Sequence, residues 1–236
     1  ILTKLHSGGK FSNNNYKFSG GLHGVGISVV NALSKRVEVT VRRDGQIHEI
    51  AFENGVAVTD LTVTGSCGLR NSGTSVHFWP DAKYFDSSKF SVLRLVNNLR
   101  AKAVLCPGLE ITFSDKVNNE EHKWFYEDGL KDYLAEGVKG YTLLPEEPYI
   151  GEFTAETEMA NWAVIWQPEG GEMITESYVN LVPTKQGGTH VNGLRQGLLD
   201  AMREFCEFRN LLPRGVKLTG DDIFDRCSYV LSVKMQ

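Results

Sequence analysis

The amino-acid sequence predicts an α+β protein made of two units, residues 1–127 and residues 128–236. Three observations support this fold class. Apolar residues alternate with polar ones around turn signals in the first third of the chain, which is typical of an antiparallel sheet. Apolar residues recur at intervals of three and four over two longer segments, which is typical of helices packed against a core. Near residue 128 the composition becomes acidic, which indicates a second unit.

The first unit contains an antiparallel meander. Val37, Val39 and Val41 alternate with polar residues and predict a half-buried strand. Asp44-Gly45 follows at once and is a strong hairpin signal, because both residue types tolerate a positive φ. Asn54-Gly55 repeats the signal after the return strand.

The rest of the first unit mixes one helix with short strands. Proline ends strands and glycine ends helices, and these residues set the boundaries. The predicted elements are a strand over 74–79, a helix over 90–104 with Ser88 as its N-cap, a strand over 109–113, a turn at Asn118-Asn119 and a strand over 124–126.

The second unit contains a βαβ arrangement. Its longest helix places Leu194, Leu198, Ala201, Met202, Phe205 and Phe208 on one face. The other predicted elements are a helix near 130–134, a loop over 145–148, strands near 163–166 and 177–182, a turn over 187–190, a short helix over 221–225 and a last strand over 229–235.

Composition excludes several classes of protein. The chain has 236 residues, 41% of them hydrophobic and 23% charged, as in a soluble globular protein, and we find no apolar run of membrane-spanning length. The 4 cysteines are far apart, which favours neither a zinc site nor a disulfide framework and suggests the cytoplasm. The net charge is −4 and the acidic excess lies within residues 128–183, so the chain is not a globally basic nucleic-acid binder.

A glycine-rich stretch at residues 20–26, Gly-Gly-Leu-His-Gly-Val-Gly, opens onto the apolar run 27–33. A glycine turn that leads into a helix N-terminus presents unpaired N–H groups and a partial positive charge, which suit an anion such as phosphate. The spacing matches neither the dinucleotide motif nor the P-loop. A tight loop without any ligand stays an alternative at this point.

The residues before this stretch read as an exposed loop. Residues 1–19 are polar and glycine-rich, and with the glycine stretch they predict a lid that orders on a ligand. Lys10 is a candidate positive charge for a phosphate, with an ordinary surface lysine as the alternative.

Four motifs resemble the ATPase subunits of bacterial type IIA topoisomerases. Residues 5–34, with the sequence Leu-His-Ser-Gly-Gly-Lys-Phe and then the glycine stretch, resemble the ATP lid of that family. Residues 73–80 resemble the strand that lines the adenine pocket, and residues 186–195 resemble the start of the main helix of the transducer domain. Residues 232–234 resemble the strand before that domain's switch-lysine loop. The sequences at 168–172 and 212–217 are closer to the topoisomerase IV branch than to the gyrase branch.

The resemblance implies a Bergerat-type (GHKL) ATP-binding α/β sandwich over residues 1–127, followed by a transducer domain over 128–236 that ends before the switch-lysine loop. It implies a role for each matching residue. Lys10 contacts the γ-phosphate, Tyr16 lies over the nucleotide, and Thr74 joins a water-bridged contact to adenine. Arg43 flanks the mouth of the pocket, where aminocoumarins bind in the family. The phosphate cradle consists of Gly21, Leu22, His23, Gly24, Val25, Gly26 and Ile27.

The family's hydrolytic residues have no counterpart in this sequence. The resemblance places the general-base glutamate, the asparagine that binds Mg²⁺ and the aspartate that contacts adenine before residue 1, and the switch lysine after Gln236. The chain begins without methionine, and we expect it to be a piece of a longer protein. We therefore expect no catalytic or metal-binding residue among these residues, and no ATP hydrolysis by them alone.

The implied function is coupling of ATP binding and hydrolysis to dimer-gate closure and DNA strand passage. The implied partners are double-stranded DNA, a second ATPase subunit and the A subunit of topoisomerase IV in a heterotetramer, in the bacterial cytoplasm on the nucleoid, with ATP and Mg²⁺ as cofactors. The B subunit of DNA gyrase is an alternative within the family. An ATP-binding dimerisation module without hydrolysis is an alternative of another class, and residues 184–236 argue against a kinase or chaperone ATPase.

Basic residues of the last third are candidates for a DNA-facing surface. The alternative is that each pairs with neighbouring acids such as Asp200, Glu204 and Glu207 on helix surfaces. The candidates are Lys185, Arg195, Arg203, Arg209, Arg214 and Lys217.

Overall fold

The computed structural model describes residues 1–7, 24–87 and 89–235. The chain forms two compact units, one up to Phe90 and one from Ser91 onward. The domain boundary between residues 127 and 128 concerns the family's functional domains and stays a prediction. It differs from the division into compact units, because the helix and hairpin over 92–124 pack within the second unit.

The first unit is a sheet with one short helix. Its sheet has the order β3-β2-β1-β5, with β4 also paired to β2, and every pairing is antiparallel. Both predicted hairpin turns are confirmed, since Asp44 and Gly45 have φ of 54° and 78°, and Asn54 and Gly55 have φ of 50° and 84°. The elements are α1 (Gly26–Ala32), β1 (Ser34–Arg43), β2 (Gln46–Glu53), β3 (Val56–Ala57), β4 (Thr62–Ser66) and β5 (Gly73–Pro80), followed by a 3₁₀ turn over Ala82–Tyr84.

The second unit is built on a second five-stranded sheet, of order β11-β10-β12-β9-β8. Strands β10 and β12 are parallel and are joined through α4, which confirms the predicted βαβ arrangement. The elements are α2 (Val92–Leu105), β6 (Ile111–Asp115), β7 (Glu120–Trp124), α3 (Leu130–Gly137), β8 (Leu144–Thr154), β9 (Glu158–Trp166), β10 (Thr175–Val179), β11 (Val182–Pro183), α4 (Thr189–Phe208), α5 (Gly220–Phe224) and β12 (Cys227–Met235).

Apolar clusters cover both faces of this second sheet. Leu134 and Val138 of α3 pack with Ile165 and Val230 on one face. Val191 of α4 packs with other strand residues on the opposite face. The central strand β12 therefore lies between two helical layers.

Several boundaries differ from the sequence prediction. The strand predicted over 177–182 is two strands, β10 and β11, joined by a turn at Asn180-Leu181, and the last two residues of the turn predicted over 187–190 begin α4. The N-cap of α2 is Ser91, whose Oγ accepts from the N–H of Arg94 at 3.4 Å, and Ser88 lies outside the described residues. The predicted loop over 145–148 is part of β8, where the pairing with β9 shifts register because two prolines in four residues interrupt the ladder. The strand predicted over 124–126 is β7, which ends at Trp124.

The predicted apolar face of α4 is buried only in its first half. Leu194 and Leu198 pack against the sheet cluster, whereas Phe205 and Phe208 are 54% and 80% exposed. Periodicity places these phenylalanines on one helix face, but the sheet does not extend far enough to cover them.

Candidate functional site

The described part of the glycine stretch forms the entry to α1. Gly24 has a φ of 58°, which a glycine adopts without strain, and the helix begins at Gly26. Val25 supplies no side-chain cap, and the first turn carries no acidic residue. The first N–H groups of any helix lack intrahelical partners, so this turn offers donors to an anion. Lys10, Tyr16, Gly21, Leu22 and His23 lie outside the described residues.

At the N-terminus of α1, one backbone N–H and one side-chain hydroxyl donate hydrogen bonds to the same carbonyl. The N–H of Val29 donates to the carbonyl of Val25 at 2.9 Å, and the hydroxyl of Ser28 donates to the same carbonyl at 2.9 Å. Both bonds use the carbonyl of Val25, so neither occupies the N–H groups of Gly26 and Ile27.

The side chain of Asn31 holds the C-terminal half of α1 in place through two hydrogen bonds. Its side chain is 1% exposed, and its Nδ2 donates to the carbonyls of Leu2 at 3.1 Å and Gly55 at 3.2 Å. Gly55 adopts a φ of 84°, a backbone conformation that glycine takes without strain. Asn31 is not among the site residues predicted from the sequence, although one amide inside an apolar helical run is a signal of such an anchor.

The same C-terminal end of α1 is also tied to the residue that follows β5. The N–H of Asp81 donates to the carbonyl of Leu33 at 3.0 Å. The carboxylate of Asp81 accepts from the N–H of Lys83 and lies 3.0 Å from its Nζ, and these interactions lower the pKa of Asp81. The glycine turn is therefore attached to a helix whose C-terminal end is held by the amide of Asn31 and by this bond to Asp81.

Thr74 lies on the face of the sheet that carries the apolar core. It pairs with Val41 across β5 and β1, and Val76 pairs with Val39 in the same way. Residues at such positions share one face, and on this face Val37 and Val39 are buried. Val76 and Phe78 are 42% and 37% exposed, so the stretch around Thr74 is an open, mostly apolar surface with one hydroxyl.

Arg43 lies at the same end of the sheet as Thr74. It is the last residue of β1, two positions beyond Val41, so it shares the face of Thr74. Its side chain is 78% exposed and its Nε lies 3.4 Å from the carboxylate of Asp44. The structure thus places Thr74 and Arg43 at one end of the sheet, and the pocket mouth there stays a prediction.

The basic candidates of the last third are partly engaged by their own neighbours. Arg203 donates from Nε and Nη2 to the carbonyl of Leu218 at 2.9 and 2.6 Å, and its Nη1 lies 3.9 Å from Asp200. The guanidinium of Arg195 lies 4.6 Å from the ring centroid of Phe224. For these two residues local roles account for the side chains. Over the ranges the structure describes, no helix is long and apolar enough to cross a membrane.

Comparisons with known proteins agree on one family. A family model described as DNA gyrase B matches residues 129–236. The chain is 73% identical to the B subunit of DNA topoisomerase 4 from Salmonella typhimurium and 72% identical to that from Escherichia coli, in each case over 236 residues, all of this chain and 38% of the relative. The chain therefore spans a little over a third of the length of these curated relatives.

Solved structures with the same fold are also from this family. The topoisomerase IV ATP-binding domain of Francisella tularensis, solved with a small-molecule inhibitor, matches with a TM-score of 0.75 and 42% identity, over 100% of this chain and 61% of that chain. The 43K ATPase domain of Thermus thermophilus gyrase B, solved with an aminocoumarin, matches with a TM-score of 0.81 and 31% identity, over 90% of this chain and 58% of that chain.

These likenesses confirm the α+β, Bergerat-type fold class and the resemblance stated from the sequence. Over its whole length the chain is thus similar to part of the B subunit of DNA topoisomerase 4, and its fold is that of ATP-binding domains of topoisomerase IV and gyrase B.

Proposed function

We propose that the complete protein containing this chain is the ATPase subunit of a type IIA DNA topoisomerase. The observation that carries the proposal is the glycine turn at α1, which starts a helix with no side-chain cap and no acidic residue in its first turn. Such a turn suits the phosphates of a nucleotide. The names of the relatives, which describe the B subunits of topoisomerase IV and ATP-binding domains, support ATP as that nucleotide.

We assign the nucleotide site to the glycine turn, to the segment before it and to Thr74. The backbone of residues 21–27 holds the phosphates, with Lys10 and His23 near the γ-phosphate. Tyr16 covers the nucleotide, and Thr74 contacts adenine through water from the open face of β5. An uncapped helix start and a hydroxyl on an apolar face fit such a ligand. Mg²⁺ neutralises phosphate charge when bound, and its protein ligand lies outside residues 1–236.

The proposed cycle uses ATP as a switch. Contacts to the γ-phosphate order the lid and favour closure of two ATPase subunits around a captured DNA duplex. Hydrolysis removes those contacts, so the gate reopens. The assembly is a heterotetramer with the A subunit of topoisomerase IV, in the cytoplasm on the nucleoid.

The full-length protein tests this function when it is mixed with its A subunit. We expect ATP-dependent decatenation and relaxation of DNA without introduction of negative supercoils. Negative supercoiling would assign the protein to gyrase instead. Nucleotide binding without turnover would favour the dimerisation module that does not hydrolyse ATP.

Substitution of His23 separates two roles of that side chain. His23→Asn retains a hydrogen-bond donor but cannot carry a positive charge. We expect ATP turnover close to that of the wild type if His23 only donates a hydrogen bond to phosphate or to the helix start. A loss as large as that of His23→Ala would instead show that the imidazole itself is required.

A further inference from the structure

A cleft of about 680 Å³ separates α2 from β10 and β11 in the second unit. This volume lies in the range of small-ligand sites. The cleft belongs to neither the glycine turn nor the face of Thr74, because all its lining residues come from the second unit.

The wall formed by α2 is an exposed, mostly polar helix face. Arg94, Asn97, Asn98 and Ala101 line the cleft, and their spacing of three, one and three residues places them on one helix face. Arg94, Asn97 and Asn98 are exposed to solvent. The opposite wall is also polar, with Thr175, Ser177, Thr184 and Lys185.

Glu176 is the only acidic residue among the described residues that line the cleft, and it is already bonded. It accepts hydrogen bonds from the hydroxyl of Tyr133 at 2.8 Å and from that of Tyr178 at 2.6 Å. Burial and the neighbouring carboxylate raise the pKa of both tyrosines, so both hydroxyls remain donors at neutral pH. Glu176 keeps its negative charge, so the cleft is lined by three cationic side chains and one carboxylate whose oxygens already accept hydrogen bonds.

Three cationic side chains line the cleft, and two of them form no ion pair within the described part of the chain. Arg100 lies 3.3 Å from the carboxylate of Glu136 and donates to the hydroxyl of Tyr126 at 3.1 Å. Arg94 and Lys185 form no ion pair with any residue that the structure describes. The cleft therefore presents positive charge together with amide and hydroxyl donors.

Hydrogen bonds hold the two walls in place. The ammonium group of Lys102 on α2 donates to the carbonyl of Leu181 in the turn between β10 and β11. Across that hairpin, Oγ of Ser177 lies 2.7 Å from Oγ1 of Thr184, which lies 3.0 Å from Nε2 of His190. A ligand thus meets a preformed site, which lowers the entropic cost of binding.

We propose that the cleft between α2 and the β10–β11 hairpin binds a phosphate group through Arg94 and Lys185, with Asn97 and Asn98 as neutral donors. A planar guanidinium, an ammonium and carboxamide N–H groups match the several oxygens of a phosphate. The group belongs either to the backbone of DNA or to a small phosphate ester. The inference does not depend on the proposed function, because it concerns a separate site.

The test uses the full-length protein saturated with a non-hydrolysable ATP analogue, so that the nucleotide site is filled. Pyrophosphate and a short DNA duplex are titrated separately into the wild type and into Arg94→Gln/Lys185→Gln. The control is Lys116→Gln/Lys139→Gln, which removes two exposed cations outside the cleft. Binding of the ATP analogue reports separately on the proposed function and is expected to be unchanged in both variants.

We expect the cleft variant to weaken binding of at least one probe about tenfold relative to the control. A small-ester site weakens pyrophosphate alone, whereas a DNA contact weakens the duplex and lowers its salt-dependence slope by about 2. Arg94→Lys/Lys185→Arg retains both charges and is expected to restore most of the affinity. Equal affinities of the cleft variant and the control for both probes would overturn the proposal, as would failure of the wild type to bind either probe.

Discussion

The central strand β12 of the second sheet and the edge strand β5 of the first differ in how they are covered. Six consecutive residues of β12, from Cys227 to Ser232, are buried between helical layers. The first seven residues of β5, from Gly73 to Trp79, are exposed. A sheet covered on both faces derives its stability from its own packing, whereas an open apolar face is available for an interaction. Stability is therefore expected to reside in the second sheet and ligand binding in the first.

The largest expected effect separates function from stability in the first unit. Lys10→Ala in the full-length protein is expected to lower ATP turnover about a hundredfold, because it removes a positive charge from the γ-phosphate. The free energy of unfolding is expected to change little. Steady-state ATP hydrolysis and thermal unfolding measure the two quantities.

Lys4→Ala is the matched control for this substitution, because Lys4 is an exposed lysine in the same N-terminal segment. We expect turnover by this variant to equal that of the wild type. Equal rates for Lys10→Ala and Lys4→Ala would assign Lys10 to the ordinary surface lysines.

Paired valine substitutions test the difference in packing. Val230→Ala on β12 is expected to cost about 2 kcal/mol, because it removes buried methyl groups and leaves a cavity. Val76→Ala on β5 is expected to cost less than about 1 kcal/mol, because solvent already reaches that side chain. Val230 is 0% exposed and Val76 is 42% exposed.

Native-state hydrogen exchange of the full-length protein measures both valine variants, since it reports on each unit separately. Val230→Ala is expected to speed exchange mainly in the second unit. A cost for Val76→Ala as large as that for Val230→Ala would mean that the face of β5 is covered in the complete protein, and the contrast between the sheets would fail.

Two strand glycines provide a test of crowding. Gly151 of β8 lies under the indole of Trp162, and a Cβ at this position would overlap the ring. Gly151→Ala is therefore expected to cost about 2 kcal/mol. Gly73→Ala of β5 meets no atom within 4 Å and is expected to change stability by less than about 1 kcal/mol.

Urea unfolding followed by tryptophan fluorescence measures both glycine variants. Equal midpoints for Gly151→Ala and the wild type would show that the indole moves away without cost. That result would remove Trp162 from the residues that make the second sheet more closely packed than the first.

The last effect is absent at neutral pH and develops only at alkaline pH. Burial raises the pKa of Tyr126, Tyr133 and Tyr178 above the ordinary tyrosine value. The folded state thus holds these protons more tightly than the unfolded state. This contribution to the free energy of unfolding is fully present below about pH 10. Above about pH 10, each tyrosine lowers the free energy of unfolding by up to about 1.4 kcal/mol per pH unit.

Unfolding measured from about pH 8 to about pH 11 tests the alkaline prediction. Tyr133→Phe is expected to flatten the decline, because it removes one of these protons. Its stability at neutral pH also falls, because Glu176 loses a donor. An identical pH dependence in Tyr133→Phe would show that the hydroxyl of Tyr133 does not contribute to alkaline unfolding.

The turns beside the candidate site could be predicted from local sequence. Gly24 leads into a helix, and Asp44-Gly45 and Asn54-Gly55 select hairpins, because these residue types tolerate a positive φ. Alternation placed β1 and β12, and the interval of three and four placed α4. These features depend on neighbouring residues alone, so sequence suffices for them.

Other features depend on residues far apart in the chain, and only the tertiary structure determined them. Asn31 is an anchor because Leu2 and Gly55 come within reach of its amide. The polar stripe of α2 faces a cleft because β10 and β11 lie opposite. Phe208 is exposed although its spacing matches a buried face, because no described strand reaches it. Periodicity specifies which side chains share a face, but long-range pairing decides what that face meets.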